Sequence, residues 1–285
     1  MSEPSRAVLV TGCSSGIGAA TAAHLADAGW TVYATARRPE TLGELEKKGC
    51  RTLALDVTDE ASRRAAVEAV EAAEGAVGVL VNNAGYSQSG AVESVADERV
   101  RAQFDTNVFG LLAMCRLVLP RMRDQRWGKI VNLSSMGGRL TFPGGGFYHA
   151  TKYAVEAISD ALRFEVRGFG VDVIVIEPGF IRTAFGGTAV HGLGEATSAD
   201  GPYAEFNAAV ARTTAGVYES GALGRLGGPP EAVATRIGKA LAASRPRARY
   251  TVTPSARAAM VQRAVLPDAA WDAAMRTRFP SPGRG

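Results

Sequence analysis

This sequence predicts an α/β fold, a doubly wound parallel sheet of about seven strands with helices on both faces, and three observations carry that expectation. Short apolar, β-branched runs alternate with Ala-rich amphipathic stretches along most of the 285 residues. A glycine-rich turn joins the first such run to the first helical stretch, as in a parallel βαβ unit. No internal repeat and no interdomain linker breaks the alternation, so a single domain is expected. Its body should run over residues 1–253, with 254–285 as a helical extension of the same domain.

Ala7, Val8, Leu9 and Val10 open as a strand, and Thr11, Gly12, Cys13, Ser14, Ser15, Gly16, Ile17 and Gly18 follow at once. A helix is predicted over 19–28, stopped by Gly29. A strand, a glycine turn and a helix start make a pyrophosphate site: bare backbone comes close, and N–H groups face the anion. The second strand, 31–36, ends in Ala36, Arg37 and Arg38. An acidic residue at that end would accept hydrogen bonds from a ribose 2′-OH and select NAD. Two guanidiniums instead suit a 2′-phosphate and point to NADP(H). A short helix over 40–48 leads to a third strand, 51–55, closing on Asp56 and Val57. Asp59 and Glu60 suit the positive end of the next helix, 59–74.

Val79, Leu80 and Val81 form the fourth strand and run into Asn82, Asn83, Ala84 and Gly85. Residues 97–125 read as one long helix with Asn107 in its middle, where Asn is unfavourable by propensity. The fifth strand, 128–133, is followed by Ser135, and a helix is predicted over 148–169. The sixth strand, 171–177, closes on Pro178, Gly179, Phe180, Ile181, Arg182 and Thr183. Residues 184–228 are too long for a plain connection and are expected to form a substrate lid, with one helix over 203–218. Pro229, Pro230 and Glu231 start another helix, and 249–252 is the seventh strand. Two short helical patterns flank Pro267 in the tail.

Composition excludes several classes. Hydrophobic content of 46% against 21% charged residues belongs to a globular chain with a substantial core. The N-terminus has no apolar leader, and the most apolar helical stretch, 108–119, is interrupted by Arg116, so membrane insertion is not expected. Cys13, Cys50 and Cys115 form no paired pattern and fit reduced thiols in a cytoplasm. The three histidines are scattered, so no metal site is expected. The net charge is +4, yet eight arginines from Arg245 onward face only Asp268 and Asp272. The basic balance therefore sits in the tail, without the aromatic interleaving of a nucleic-acid surface.

Tyr148 and Lys152 lie four apart on one helical face and can act on the same small group. A phenol is a weak acid, with a reference pKa near ~10; an ammonium one turn away favours the phenolate. Ser135 adds a hydroxyl that could hold a carbonyl oxygen beside the phenol. This is acid–base chemistry for alcohols and ketones.

Ser135, thirteen positions before Tyr148, and the Y-x-x-x-K of Tyr148 and Lys152 resemble the short-chain dehydrogenase/reductase family. The T-G-x-x-x-G-x-G turn, the N-N-A-G of 82–85 and the P-G-x-x-x-T of 178–183 strengthen the likeness, which extends over roughly 7–253. It implies a Rossmann-like sheet in the order 3-2-1-4-5-6-7 and a tetrad of Asn107, Ser135, Tyr148 and Lys152. In such a tetrad Asn107 would hold a water that relays protons to Lys152.

The resemblance also implies a cofactor set. Gly12, Ser14, Ser15, Gly16, Ile17 and Gly18 would take the pyrophosphate, Arg37 and Arg38 the 2′-phosphate, and Asp56 and Val57 the adenine. Asn83, Ala84, Gly85, Tyr148 and Lys152 would take the ribose, and Pro178, Gly179, Ile181 and Thr183 the carboxamide. Where relatives carry a second basic residue, this chain has Ser15. A homodimer or homotetramer acting on a small carbonyl or alcohol is implied. The details look closest to the hydroxysteroid and retinol dehydrogenase-like branch, which favours a bulky apolar ketone or alcohol. A 3-oxoacyl-thioester reductase and a non-catalytic NADP-sensing protein stay open as alternatives.

Overall fold

Parallel pairing throughout arranges seven strands in the order β3-β2-β1-β4-β5-β6-β7. They are β1 (Val8–Val10), β2 (Val32–Ala36), β3 (Arg51–Ala54), β4 (Val79–Asn82), β5 (Gly128–Leu133), β6 (Val171–Pro178) and β7 (Arg249–Val252). This computed structural model describes residues 3–183, 201–219 and 226–283. Because β1 is flanked by β2 and β4, the strand order reverses there, and a crevice opens beyond the carboxyl ends.

Side chains alternate across each strand, so one sheet feeds two apolar layers. Val8, Val10, Val79 and Val81 face α1 (Gly16–Asp27) and α8 (Pro230–Ala242), packing with Leu25 and Ile237. Leu9, Leu80 and Ile130 face the opposite layer of α3 (Glu60–Glu74), α5 (Leu111–Asp124) and α6 (Gly146–Val166), against Val70, Met114 and Val155. Full burial of each such side chain contributes about 1.5–3 kcal/mol. α2 (Gly43–Lys47) follows a 3₁₀ turn at Pro39–Leu42, so the helix expected over 40–48 is two short pieces. Asp59 caps α3 by accepting from the Ser62 N–H at 2.6 Å, and Gly75 ends it at φ 85°.

The helix expected over 97–125 is interrupted. α4 (Asp97–Phe104) passes into a π turn at Asp105–Gly110 before α5 resumes. Asn107 sits inside that turn. Its Oδ1 accepts from the Tyr86 N–H at 3.1 Å, while Nδ2 donates to Tyr86 O and Thr151 Oγ1. The carboxamide thus finds partners outside the helix, which is the physical reason for the break.

α7 (Ala204–Glu219) carries the helix expected in the lid, and α9 (Pro254–Val265) and α10 (Asp268–Arg276) form the tail. Val210 of α7 joins Trp271, Met275 and Phe279 in a third, smaller apolar cluster with Phe142 and Phe206 against it.

Candidate active site

The turn after β1 is shaped by what a side chain would strike. Gly12 (φ 72°) and Gly16 (φ 60°) hold left-handed backbone that glycine adopts without strain. A Cβ on Gly18 would lie 2.2 Å from Gly12 O, so α1 can sit against the turn only with glycine there. Asn83 Nδ2 bridges Thr11 O and Gly12 O at 2.8 and 2.9 Å, and Thr11 Oγ1 accepts from the N–H groups of Asn83 and Ala84. Asn82 Nδ2 donates to Asn132 Oδ1 across to β5. The N-N-A-G segment thus braces the strand ends.

A cavity of about 980 Å³ begins at this turn and runs over the sheet. Gly12, Ser14, Ser15, Gly16, Ile17, Arg37, Asp56, Val57, Asn83, Ala84 and Gly85 line one end, and Pro178, Gly179, Ile181 and Thr183 the middle. Three expected contacts lie outside that lining. Gly18 is packed beneath the turn, Arg38 stands exposed beside it, and Asn107 is buried behind it. Only Arg37 of the arginine pair faces the cavity. Burial raises the Asp56 carboxyl, but the Thr58 hydroxyl and N–H, with Arg37 and Arg63 nearby, more than offset it. Asp56 is held below the usual range and stays ionised.

Ser135, Tyr148 and Lys152 meet in the middle of the cavity. Ser135 caps a 3₁₀ turn at Met136–Gly138, its Oγ accepting from the Gly137 N–H at 3.0 Å. Lys152 is buried, donates to Leu133 O at 2.7 Å, and places Nζ 5.8 Å from the Tyr148 ring centroid. Burial pushes its ammonium down to about 8, against the opposing pull of Glu156 one turn on.

His149 was overlooked in the sequence as one of three scattered histidines. It is buried, lines the cavity, and meets the loop between Ser135 and Tyr148 at both ring nitrogens. Its position next to Tyr148 was the only available signal.

Beyond Ser135, Tyr148 and Lys152 the cavity turns apolar, lined by Phe142, Phe180, Val210, Trp271, Met275 and Phe279. The C-terminal extension therefore forms part of this wall, a role the sequence did not suggest. Within the expected lid, Phe185 and Leu193 lie outside the described residues. Phe206 packs behind Val210, and the Tyr203 hydroxyl donates to Glu93 at 2.6 Å, so neither lines the cavity. α7 is held by Asn207, whose Oδ1 accepts from the Ala91 N–H at 3.0 Å. Among the described residues no cluster of His, Cys, Asp or Glu could hold a metal ion.

A family model described as short chain dehydrogenase matches residues 6–193. The 3-ketodihydrosphingosine reductase of Bacteroides thetaiotaomicron is 43% identical over 199 residues, covering 70% of this chain and 71% of that protein. The NADPH-dependent 3-dehydrocapnine reductase of Ornithobacterium rhinotracheale is 36% identical over 260 residues, covering 87% and 88%. Among solved structures, a short-chain dehydrogenase from Streptomyces avermitilis superposes with a TM-score of 0.76 at 32% identity, covering 97% of this chain and 99% of that one.

Proposed function

The chain belongs to the short-chain dehydrogenase family, and from that premise we propose that it is an NADPH-dependent reductase of a bulky apolar ketone, working in reverse on the matching secondary alcohol. One observation carries the reading: Tyr148 and Lys152 stand together in a cavity that continues to the glycine turn and Arg37. The residues present fit NADP(H). Positive-φ glycines leave bare backbone at the start of α1, and the tip of β2 is Ala36 followed by Arg37 and Arg38, with no acidic side chain there to repel a 2′-phosphate.

When bound, NADPH supplies the hydride. The chain's own groups manage the proton and the charge. The Tyr148 hydroxyl protonates the carbonyl oxygen as it becomes an alkoxide. Ser135 Oγ already accepts from Gly137, which leaves its proton to stabilise the same oxygen. Lys152, fixed to Leu133 O, keeps further N–H groups for the nicotinamide ribose and favours the phenolate after transfer. Asn107, bonded to Thr151 beside Lys152, would anchor the relay water.

The apolar far wall supports a bulky substrate, and the two named relatives, both reductases, support the direction. A 3-oxoacyl-thioester reductase is the second enzymatic reading, and a cofactor-sensing protein without turnover the third. We further propose a homo-oligomer joined through α4, α5 and α6, where Phe109, Tyr153 and Phe164 are exposed. Three buried, unpaired cysteines fit the reducing cytoplasm. No described helix is long and apolar enough to cross a membrane. A panel of ketones, aldehydes and 3-oxoacyl thioesters followed by NADPH absorbance tests the reading. Tight NADPH binding with no oxidation across the panel would leave the sensing protein instead.

A further inference from the structure

The loop from Gly137 to Gly145 is wrapped around one imidazole. The His149 Nδ1 lies 3.0 Å from Gly137 O, and the Phe142 N–H donates to Nε2 at 3.2 Å. An N–H aimed at Nε2 requires a lone pair there, so the proton resides on Nδ1 and is donated to Gly137 O. The two glycines make the fit possible: a Cβ on Gly137 would lie 2.4 Å from Nδ1, and one on Gly145 2.7 Å from Nε2. Burial pushes His149 down to about 4, which keeps it in this neutral form.

The ring also touches what it positions. Phe142 meets it edge-on at 5.9 Å between centroids, and Phe142 in turn packs on Phe180 at 6.5 Å and Trp271 at 6.1 Å. Those three aromatics all line the apolar part of the cavity. A chain of contacts thus runs from the residue after the acid Tyr148 to the C-terminal extension.

We infer that His149 is a positioning residue for ketone reduction: by fastening the 137–145 loop it sets where Phe142 stands against Trp271, and so which ketones reach Tyr148. The inference rests on the reductase reading above. It assigns His149 no contact with the reacting atoms. Loss of its two neutral hydrogen bonds should displace Phe142 and leave the glycine turn and Arg37 untouched.

The test compares the full-length wild-type chain with His149→Leu, which fills the space without bonding, and His149→Gln, which can restore an acceptor for the Phe142 N–H. At a net ~0.5–1.5 kcal/mol for each of the two bonds, His149→Leu should raise KM for a bulky aryl ketone about 5- to 150-fold. KM and kcat for a small diketone, and NADPH affinity by fluorescence, should stay within about twofold. Hydrogen exchange at the Phe142 amide should accelerate in His149→Leu and slow again in His149→Gln. Equal Phe142 protection in all three proteins would overturn the inference, as would equal losses on small and bulky ketones. If the wild type reduces no ketone at all, the reductase reading fails, and with it the claim about ketone access. The Phe142 amide would then still report whether His149 fastens the loop.

Discussion

Arg249→Met tests how the far edge of the sheet is joined to α6, the helix that carries Tyr148 and Lys152. Arg249 of β7 donates from Nε to Glu156 on α6 at 3.0 Å and reaches Glu177 of β6 at 3.6 Å. Its other branch holds Asp160 at 2.6 Å. Glu156 and Glu177 are only 6% and 3% exposed, so one guanidinium compensates two carboxylates that water barely reaches. Asp160 is far more exposed, and its pair is screened enough to contribute little. Methionine preserves the packing of the stem and strips the charge. Breaking a buried pair costs about 3–5 kcal/mol, because the partner is left uncompensated. At roughly 2 °C per kcal/mol for a chain of this size, Tm should fall by about 6–10 °C.

The loss should depend on pH. Burial already pushes the Glu156 carboxyl up, and removing Arg249 pushes it further. A carboxyl raised in the folded state binds protons more readily there than in the unfolded chain, so folded stability falls as pH rises. The deficit of the variant should therefore be largest near pH 8 and shrink toward pH 5. Adding Glu156→Gln should recover part of it. Calorimetry of the three proteins at both pH values is the assay. A Tm change under about 2 °C, or one indifferent to pH, would refute the reasoning.

Tyr148→Phe should lower turnover about 10²- to 10⁴-fold with little change in NADPH affinity; a variant keeping more than a tenth of the rate would remove Tyr148 from the chemistry. Arg37→Ala should weaken NADPH about 10- to 150-fold, the worth of one charge-assisted hydrogen bond, and leave NADH nearly unchanged in titrations; equal losses would show a structural role. For Lys152, held down to about 8 by burial, the charged form is lost as pH rises through that value. Reductive kcat/KM should fall above about pH 8, and Lys152→Met should lack that limb in a pH–rate profile. In the free protein the same depressed pKa means the ammonium costs stability below pH 8, a cost that fades above it as the lysine loses its proton. Lys152→Met should accordingly raise Tm at pH 7 and lose the advantage by about pH 10, and a gain that persisted there would count against the assignment.

The parts of this fold that were legible are those written in local chemistry. β4 and β5 announce themselves as apolar, β-branched runs because both their faces are covered. Gly12, Gly16 and Gly18 mark a turn that larger residues would block. Tyr148 and Lys152 are fixed to one face by helical spacing alone. What escaped was decided by distant partners. The π turn around Asn107 depends on Tyr86 and Thr151, far away in sequence, so nothing near Asn107 announces it. Consecutive residues leaving a strand point opposite ways, so the chain path after β2, and not composition, decides that Arg37 faces the cavity and Arg38 does not. His149 looked idle because its partners Gly137 and Phe142 are glycine and backbone. Trp271 belongs to the site only because α10 folds back onto Phe142.

The π turn at Asp105–Gly110 also acts as a phase shifter. An α-helix advances about 100° per residue, and a π turn accommodates one residue more than regular winding allows. Within it, Asn107 looks toward Tyr86 and Thr151; downstream, Leu111, Met114, Cys115, Val118 and Met122 form the buried stripe against the sheet. Deleting a single residue between 105 and 110 would restore regular winding with that stripe still on the core, whereas straightening the backbone with every residue kept would swing the stripe about 100° away. The two halves of this helix are thus free to be shaped by separate demands, one by the cavity and one by the sheet, with the extra residue absorbing the angular mismatch between them.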